Sequence, residues 1–567
     1  MAREGVDVLV IGGGITGAGV ALDAVTRGYR VGLVEKRDFA SGTSSWSTKL
    51  VHGGIRYLPE GDVPLVREAL VERGRLLANA PHLVHPLAFV LPLYGWSRHP
   101  VGLPIAPPGG IGLDFILDTG LTIYDVLAGR ENIARHRRID RDEVLRRAAC
   151  LRPADLRSGF IYDDAQTDDA RLTLTVLRTA ADAGAYVANY ATVVGFDRGP
   201  DGQVRAAHVR VDAGTAAARA LTIAARFFVN ATGVYAEQVE ELIGESPRLS
   251  IEPSKGVHLV VTREALDIGD DAVVLPETAD RRVIFLVPWR SRVLIGTTDT
   301  GSGDLDHPRA NAADVDYLLG HVNRSVTHPL APSDIISTFA GYRPLLRLRH
   351  TRTPARLSRS HAVVRGTSGL ISVSGGKMTT YRVMARDVMN RITELEGTGR
   401  RCKTAGYRLL GATGWPGAAE ALTARGAALG LGPDVIAHLG MGYGSLADEV
   451  LNLVAGNAAL GQRVVPDLPT IAAEIVYAGQ AELALTVADA LGRRTRLALE
   501  AHGHAVAAAP RVAVLLGDAL GWDAERRARE LADYADYIAL LDAGIPDRQT
   551  NSPLTSTEPA SPQRPTP

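Results

Sequence analysis

The first apolar segments of the chain predict a strand, a turn, a helix and a second strand in close succession. Residues 8–11 form an uninterrupted apolar run, which is typical of a fully buried strand, and residues 31–34 form a second such run. A helical pattern from about Ile15 to Arg27 lies between them. The turn that joins the first strand to this helix begins with three consecutive glycines.

The glycines of this turn have the spacing of a dinucleotide-binding fingerprint. Gly12, Gly14 and Gly17 match G-x-G-x-x-G between a strand and a helix, and Glu35 follows about 20 residues later. The helix N-terminus favours a pyrophosphate, and the Glu35 carboxylate accepts a ribose hydroxyl while disfavouring the 2′-phosphate of NADP. The pattern predicts a bound dinucleotide other than NADP. The alternative is a glycine turn that serves only the packing of helix on strand.

The rest of the chain predicts a mixture of helices and strands, followed by helices alone. Helical patterns cover about 66–80, 112–127, 314–323 and 382–394, and acidic residues before position 172 cap a helix that ends near 183. Buried strands are predicted at 226–230 and 254–261, with a hairpin formed by 283–289 and 293–299. Prolines break the pattern from 81 to 108. Helices run from about 404 to 541, and the Pro/Ser/Thr-rich residues 544–567 are predicted to be disordered.

Length and composition indicate a globular chain of two or three domains. The 567 residues are 46% hydrophobic and 22% charged, with a net charge of −1 that does not favour nucleic acid. Cys150 and Cys402 are the two cysteines, so neither a disulfide framework nor a metal site is expected. The chain starts directly with a strand and has no apolar run of about 18 residues, which predicts neither a signal peptide nor a membrane span. We expect a cytoplasmic protein, with binding to a membrane surface left open.

Several polar segments suggest a ligand site. Residues 41–49 are rich in hydroxyl groups, which suits a polar ligand as well as it suits a surface loop. His52, followed by two glycines, lets backbone approach a flat ligand, and Arg56 offers a fork for a phosphate. Arg343 ends a predicted strand, and Lys377 follows a second glycine turn that precedes a helix. Any one arginine, taken alone, is more often a surface ion pair, and a histidine in an apolar strand such as His258 is more often a core residue.

Taken together, these motifs resemble the FAD-dependent glycerol-3-phosphate dehydrogenases of the aerobic, quinone-linked type. The segments that carry the resemblance are 11–17, 43–45, 49–58, 168–172, 230–233, 255–258, 296–299, 341–345 and 375–381. It implies an α/β, glutathione-reductase-type FAD-binding fold with a β-rich substrate (cap) domain and a helical C-terminal domain. The FAD-binding domain would comprise 1–85, 155–250 and 335–400, the cap 86–154 and 251–334, the helical domain 404–543 and the disordered tail 544–567.

The resemblance also implies non-covalent FAD and oxidation of sn-glycerol 3-phosphate to dihydroxyacetone phosphate. His258, Arg343 and Lys377 are the implied catalytic residues, with His258 accepting the C2 hydroxyl proton. Arg56, Tyr57, Thr298 and the same three residues are the implied substrate ligands. The implied FAD ligands are Gly12, Gly14, Ile15, Thr16, Gly17, Glu35, Lys36, Thr43, Ser44, Ser45, Lys49, Leu50, His52, Gly53, Gly54, Val193, Ala231, Thr232, Gly233, Gly376, Lys377, Met378 and Thr379.

The implied electron acceptor is a membrane quinone, which requires contact with the inner face of the cell membrane. The candidate contact surface comprises Trp96, Val101, Leu103 and Ile105 together with the arginines from Arg135 to Arg147, although a solvated helix face is the commoner role for such arginines. Three alternatives stay open: an oxidase of the same substrate that uses oxygen, an FAD amine oxidase, and a flavin-binding scaffold without activity. A homodimer is left open, and no nucleic-acid partner is expected.

Overall fold

The described residues form two β-sheets, the helices that pack on them and a helical C-terminal part. The computed structural model describes residues 1, 3–97, 99–103, 112–212, 219–275, 282–301, 303–347 and 361–546. The strands are β1 (Val6–Ile11), β2 (Val31–Val34), β3 (Leu50–Val51), β4 (His85–Tyr94), β5 (Arg137–Asp140), β6 (Leu156–Gln166), β7 (Tyr186–Ala188), β8 (Ala191–Arg198), β9 (Val204–Val211), β10 (Arg219–Asn230), β11 (Ile251–Thr262), β12 (Ala272–Val274), β13 (Phe285–Trp289), β14 (Arg292–Gly296), β15 (Ile335–Leu346), β16 (His361–Arg365) and β17 (Ile371–Gly375).

Helices pack on both sheets and form the C-terminal part. They are α1 (Ile15–Thr26), α2 (Val63–Asn79), α3 (Leu113–Ala128), α4 (Arg141–Arg147), α5 (Asp169–Asp182), α6 (Ala236–Leu242), α7 (Arg263–Leu266), α8 (Ala312–Ser325), α9 (Tyr381–Glu396), α10 (Ala419–Ala428), α11 (Pro433–Tyr443), α12 (Ala447–Gly456), α13 (Ala472–Glu482), α14 (Val487–Asp489), α15 (Leu497–Glu500), α16 (Ala509–Leu520) and α17 (Ala524–Leu541). A π-turn over Ala490–Arg494 follows α14.

The first sheet explains the uninterrupted apolar runs of the sequence. Its described strands have the order β16-β17-β10-β1-β2-β7, with β8 and β9 attached through β10, and β17, β10, β1, β2 and β7 are parallel. Val8 and Val10 pack with α1, α5 and α9 on one face, whereas Leu9 and Ile11 pack with β8, β9 and α6 on the other. Because both faces are covered, every position of β1 and β2 is apolar or glycine except the half-buried Asp7.

The second sheet is largely antiparallel, and its described strands have the order β15-β11-β14-β13-β12-β4-β6-β3. Three strands that the family resemblance assigned to the FAD-binding domain, β3, β6 and β15, belong to this sheet. β6 pairs with β4 over ten residue pairs, and β15 pairs with β11 along its length. The segments 156–166 and 335–346, predicted as parts of the FAD-binding domain, thus add strands to the second sheet, and their pairing partners lie about 60–95 residues earlier in the chain.

The proline-broken segment 81–108 contains a regular strand, contrary to the prediction. β4 runs from His85 to Tyr94 through Pro86 and Pro92. β12 pairs only with Phe89 and Val90, so both prolines lie where one side of the strand has no described neighbour. A proline is tolerated at such a position because it interrupts no continuous ladder on that side.

The C-terminal part is joined to the first sheet by buried ion pairs. Arg494 donates to Asp38 at 2.6 and 2.8 Å, and Arg493 binds the same carboxylate. Farther along the interface, Arg171 binds Glu482 and Arg496 binds Asp169. Burial raises the pKa of Asp38, but the two arginines outweigh burial and hold it at about 2, so this carboxylate is charged.

The chain remains packed beyond the predicted start of its tail. Ile545 is 2% exposed within the core of the second sheet, and Gly544 lies against the backbone of Asn311. The disordered tail therefore does not begin at 544 as predicted, and residues 547–567 lie outside the described residues. The sequence did not predict this packing, because Ile545 is a single apolar residue next to a long polar segment.

The surface predicted to meet a membrane is only partly exposed. Val101 is 4% exposed and belongs to the core, whereas Trp96 is 43% exposed. Leu103 packs against the core and Ile105 lies outside the described residues. Arg137 and Arg147 bind Glu143, and Arg138 binds Asp114, so these basic side chains are engaged in surface ion pairs. The prediction is wrong for Val101, and the ion pairs of Arg137, Arg138 and Arg147 are those of a solvated face.

Candidate active site

A cavity of about 530 Å³ lies between the two sheets. Its walls come from the carboxyl ends of β1 and β2, the glycine turn, the loop over 41–52, the middle of β11, the end of β15 and the turn after β17. Ligands of open parallel sheets bind at the carboxyl ends of the strands, where the chain turns away and leaves a crevice. The second sheet covers that crevice here.

The glycine turn brings backbone to the cavity wall. Gly12 has φ +111°, and a Cβ at this position would lie 2.6 Å from the carbonyl oxygen of Ala231. Gly14 starts α1 without a side-chain cap, and the first turn of α1 has no acidic residue. Ser44 Oγ accepts from the Ile15 amide at 3.0 Å. The positive end of α1 is thus open toward the cavity, as the binding of a pyrophosphate requires.

Glu35 is fixed at the end of β2. Its carboxylate accepts hydrogen bonds from the backbone amides of Gly13 at 2.6 Å and Arg37 at 3.0 Å. The next residue, Lys36, lines the cavity too, but its amine pairs with Asp306 at 3.0 Å and lies 3.5 Å from the centroid of the Tyr235 ring. The charge of Lys36 is therefore already engaged by Asp306 where the residue lines the cavity.

Most predicted FAD ligands line this one cavity. They are Gly12, Gly14, Ile15, Thr16, Glu35, Lys36, Thr43, Ser44, Leu50, His52, Val193, Ala231, Thr232, Gly233, Gly376, Lys377, Met378 and Thr379. Gly17, Ser45, Lys49, Gly53 and Gly54 do not line it. These five support the wall from behind.

The residues behind the cavity wall make different contacts. A Cβ on Gly17 would lie 1.9 Å from the Gly12 oxygen, so this glycine lets α1 touch the turn. The hydroxyl of Ser45 donates to the Ala40 carbonyl at 2.6 Å. The amide of Gly53 faces Asp164 at 3.3 Å, and Gly54 has φ +80° beside the Tyr57 ring.

Lys49 was predicted to bind FAD, but its side chain points away from the cavity. It is fully buried, and its amine lies 2.7 Å from Asp169. Burial, together with the charge of Arg496, lowers the pKa of Lys49 to about 8 despite this carboxylate. From the sequence alone, a lysine beside a hydroxyl-rich loop could not be assigned to a partner 120 residues away.

Arg343 reaches the cavity from β15 with its guanidinium already oriented. Its Nη2 donates to Thr297 Oγ1 at 3.0 Å and to the Thr298 carbonyl at 3.3 Å, and Nη1 lies 3.5 Å from Asp299. A Cβ on Gly256 would lie 2.5 Å from Nη2, so glycine at this position of β11 makes room for the fork. An arginine held in this way suits a planar or tetrahedral oxyanion.

Thr298 and Arg56 were predicted to contact substrate, but neither lines the cavity. Thr298 is 1% exposed, and its hydroxyl accepts from the Val257 amide at 3.0 Å. Its effect on the site passes through the carbonyl that holds Arg343. Arg56 donates to the hydroxyl of Tyr57 at 3.0 Å, and Tyr57 does line the cavity. Lys377 lies on the same ring, 3.8 Å from its centroid.

His258 lines the cavity from the middle of β11. Its ring stacks on Phe339 with centroids 4.7 Å apart, and its Nε2 lies 2.9 Å from Thr48 Oγ1. A Cβ on Gly296 would lie 2.2 Å from the ring, so only glycine admits the imidazole there. Burial, reinforced by Arg343 and Lys49, lowers the pKa of His258 well below its usual value. The ring is therefore neutral at pH 7 and can accept a proton.

Several cavity residues were not among the predicted ligands. Trp46, Ser47 and Thr48 belong to the hydroxyl-rich loop, and Tyr342 and Pro344 belong to the motif around Arg343, so the sequence marked their segments without marking them. Tyr235 and Gln238 line the wall just after the Ala-Thr-Gly motif, at and beyond the start of α6. No signal in their own sequence pointed to a ligand.

Comparison with known proteins agrees with this geometry. A family model described as FAD dependent oxidoreductase matches residues 7–382, and one described as C-terminal domain of alpha-glycerophosphate oxidase matches residues 402–527. Glycerol-3-phosphate dehydrogenase 2 of Mycobacterium bovis is 39% identical over 565 residues, which cover 99% of this chain and 93% of the relative. The human mitochondrial glycerol-3-phosphate dehydrogenase is 35% identical over 94% of this chain and 73% of the relative.

A solved structure extends the similarity to the fold. The glycerol-3-phosphate dehydrogenase from Bacillus halodurans, complexed with FAD, superimposes with a TM-score of 0.78 at 30% identity, covering 96% of this chain and 97% of that chain. The predicted fold class, cofactor and family resemblance are confirmed. This chain belongs to the family of FAD-dependent glycerol-3-phosphate dehydrogenases.

Proposed function

We propose that this protein oxidises sn-glycerol 3-phosphate to dihydroxyacetone phosphate with FAD as the hydride acceptor. One observation carries the proposal: an oriented guanidinium and a neutral buried imidazole, on the paired strands β15 and β11, line the same cavity as the glycine turn. The first group suits a phosphate, and the second suits an alcohol that must lose a proton. The names of the relatives support the same substrate.

The residues that would hold FAD follow the cavity from one end to the other. Glu35 would bind a ribose hydroxyl, the N-terminus of α1 the pyrophosphate, and the turn Gly376–Thr379 the flavin ring. FAD bound in this way supplies an acceptor for a hydride and its two electrons.

The chain's own residues would then prepare the alcohol. Arg343 holds the phosphate and thereby fixes the distance of C2 from the flavin end of the cavity. Lys377 and the hydroxyl of Tyr57 add a positive charge and a donor at that end. His258 accepts the proton of the C2 hydroxyl as the hydride leaves C2, so that the carbon–oxygen bond becomes a carbonyl.

Anaerobic reduction of the flavin tests this function. Addition of sn-glycerol 3-phosphate to the yellow holoenzyme under nitrogen should bleach the flavin absorbance and produce dihydroxyacetone phosphate. Glycerol, which lacks the phosphate, and the enantiomeric sn-glycerol 1-phosphate are the matched controls and should bleach it far more slowly. A holoenzyme that keeps FAD but does not bleach would support the non-catalytic scaffold, and bleaching by an amino acid instead would support the amine oxidase.

We further propose that the electrons pass to a quinone at the inner face of the cell membrane, and that α3 contacts the bilayer. Four of its apolar side chains face solvent: Phe115 is 75% exposed, Val126 72%, Ile123 44% and Ile116 38%. The opposite face packs into the core through Leu113, Leu117, Leu121, Tyr124 and Ala128. A helix with apolar side chains on both faces can pack one face against the protein core and insert the other into a lipid bilayer.

The inner face of α3 adjoins the cavity wall. The hydroxyl of Tyr124 donates to Asp164, which also accepts from the Gly53 amide, and Gly53 follows the cavity residue His52. A quinone dissolved in the bilayer beneath α3 would therefore be near the flavin end of the cavity. Within the described ranges, no helix is long and apolar enough to cross a membrane.

Liposome flotation of the wild type and of the double variant Phe115→Ser/Val126→Ser tests the surface. The wild type should float, and high salt should reduce this little, because apolar insertion is not screened as ion pairs are. The double variant should stay in the soluble fraction, while Met441→Ser, which removes an apolar side chain 53% exposed on α11, should float like the wild type. A wild type that never floats and whose flavin is reoxidised as fast by oxygen as by a quinone analogue would support the oxidase.

A further inference from the structure

The loop that forms one wall of the cavity is fixed by a carboxylate behind it. Trp46, Ser47 and Thr48 of this loop line the cavity. Asp169, at the start of α5, is fully buried, and its Oδ2 accepts from the Ser47 amide at 2.9 Å and from the Ser47 hydroxyl at 2.8 Å. Both hydrogen-bond donors of Ser47 are therefore engaged behind the cavity wall.

The same carboxylate is held by the C-terminal part. Arg496 binds Asp169 through Nη2 and donates from Nε to Asp168 at 3.1 Å, so one guanidinium spans two adjacent carboxylates. Asp169 Oδ1 also accepts from the Lys49 amine at 2.7 Å and from the Ala170 amide at 2.9 Å. A carboxylate offers about four acceptor positions, so these contacts leave its plane little freedom.

These contacts belong to a larger buried network of charges. Its three cations and three carboxylates are Lys49, Arg290, Arg496, Asp168, Asp169 and Glu500. Arg290, in the turn between β13 and β14, donates to Asp168 at 3.1 Å and to Glu500 of α15 at 2.8 Å. The network thus joins α5, the second sheet, the C-terminal part and the cavity loop. Because its members share partners, a change at one of them is transmitted to the others.

The loop also contacts the second sheet across the cavity. Thr43 Oγ1 donates to the Tyr342 carbonyl on β15 at 2.6 Å, and Thr48 Oγ1 lies 2.9 Å from Nε2 of His258 on β11. It therefore connects the buried network to the two strands that carry the proposed substrate ligands. Of the described residues 404–546, none lines the cavity itself.

We propose that Arg496 is a positioning residue for the active site: by orienting Asp169 it holds Ser47 and Thr48 at the cavity wall, and it so gives the C-terminal part a role in flavin reduction. The planar fork of an arginine reaches both adjacent carboxylates, whereas the single ammonium of a lysine does not. A misplacement of about 1 Å that starts far from the reacting atoms costs up to about a hundredfold in rate. The inference rests on the proposed function for the reaction that is measured, and not for the position of the loop.

Two substitutions weaken the connection at its two ends. Arg496→Lys keeps the charge and removes the fork, and we expect the limiting rate of anaerobic flavin reduction to fall about fivefold or more. Ser47→Ala changes no buried charge and leaves the amide contact, so a fall of about threefold or more is expected. The dissociation constant of sn-glycerol 3-phosphate should change by less than about threefold in both, because Arg343 keeps its contacts with Thr297 and Thr298.

Arg178→Lys is the matched control. Arg178 also joins α5 to the C-terminal part, with Glu482 at 3.0 Å and the Tyr477 hydroxyl at 2.7 Å. None of these three residues lines the cavity or binds the loop. The control should match the wild type in limiting rate, and its melting temperature shows how far a weakened contact between the two parts lowers stability by itself.

Fluorine NMR measures the position of the loop without turnover. The substrate-free holoenzyme is labelled with fluorotryptophan, and the signal of Trp46, one of five tryptophans, is identified by its loss in Trp46→Phe. We expect this signal to shift or broaden in Arg496→Lys and in Ser47→Ala, and to keep its wild-type position in Arg178→Lys.

An unchanged Trp46 signal or an unchanged limiting rate in an Arg496→Lys variant that retains FAD overturns the proposal. So does a control that changes as much, since the effect would then belong to the whole interface. If Arg496→Lys does not retain FAD, Ser47→Ala decides, and wild-type behaviour there refutes the role. If sn-glycerol 3-phosphate does not bleach the wild-type flavin, the proposed reaction is wrong, while the Trp46 signal still reports whether Arg496 positions the loop.

Discussion

Removal of the Arg343 side chain gives a direct test of the phosphate site. The guanidinium is about one quarter exposed, and it is held by Thr297 and by the Thr298 carbonyl, so it needs little reordering when a phosphate binds. A hydrogen bond between charged partners contributes about 1.5–3 kcal/mol. At about 1.4 kcal/mol per factor of ten, Arg343→Ala should weaken substrate binding roughly 10- to 150-fold.

Asp299 changes the size of this effect. Its carboxylate lies 3.5 Å from Arg343 in the wild type, and in Arg343→Ala it would remain near the phosphate without a counter-charge. Part of the loss in Arg343→Ala is then repulsion and not a lost hydrogen bond. The double variant Arg343→Ala/Asp299→Asn should recover that part, while Asp299→Asn alone should change binding by less than about threefold, because the pair is partly solvated. Arg343→Lys should recover only some affinity, since an ammonium cannot form the two-pronged contact.

Anaerobic stopped-flow measurement of flavin bleaching at several substrate concentrations gives the dissociation constant and the limiting rate separately. We expect the four variants to differ mainly in the dissociation constant. If Arg343→Ala retains FAD and binds substrate within about twofold of the wild type, Arg343 does not hold the phosphate and the assignment of the cavity's substrate end is wrong. If only the limiting rate falls, Arg343 acts on the reacting atoms and not on the phosphate.

Three further outcomes follow from the same structure. His258→Ala should lower the limiting rate of flavin reduction about a hundredfold or more while the dissociation constant changes little; equal effects on both would leave it a binding role only. Gly17→Ala should lose FAD or fold poorly, because its Cβ would lie 1.9 Å from the Gly12 oxygen, whereas Gly442→Ala meets open space and should match the wild type in released FAD. Burial lowers the pKa of His82 to about 4, so the unfolded chain binds more protons than the folded one between about pH 6.5 and 4, and the free energy of unfolding should fall by up to about 3 kcal/mol as pH drops through that window. Melting temperatures against pH should show a shallower acid slope for His82→Gln, and an unchanged slope would show that His82 does not cause it.

The sequence predicted the features whose causes are local. The apolar runs at 8–11 and 31–34 predicted two buried strands because both faces of each strand are covered, and the glycine spacing between them predicted the turn at the cavity wall. The helix at 112–127 was predicted within a residue of α3. Its exposed face was not distinguished, because apolar residues occupy both faces and periodicity alone cannot assign one of them to solvent.

Features that depend on residues far apart in the chain could not be predicted from the sequence. The sheet to which β6 and β15 belong depends on pairing with β4 and β11, and no local pattern encodes that choice. Lys49 lies in a segment whose composition suits ligand binding. Its amine nevertheless pairs with Asp169, 120 residues later, in the core of the protein. Thr48 was one hydroxyl among several in its loop, and its contact with His258 becomes visible only when the two sheets face each other.

The buried ion pairs between the first sheet and the C-terminal helices make the chain's last third indispensable to the rest. The first matched family model ends at residue 382 and the second begins at residue 402, so the interval between them looks like a place to truncate the chain. Such a cut would take Arg493 and Arg494 from Asp38, and it would leave Asp169 with Lys49 in place of both Lys49 and Arg496. Asp38 would lose both arginines that hold its charge, and whole domains are stable by only about 5–15 kcal/mol. A boundary visible in the sequence is thus not a boundary in packing: we expect the flavin-binding part to lose stability when it is produced alone, and a foreign C-terminal segment to need arginines that match Asp38 and Asp169.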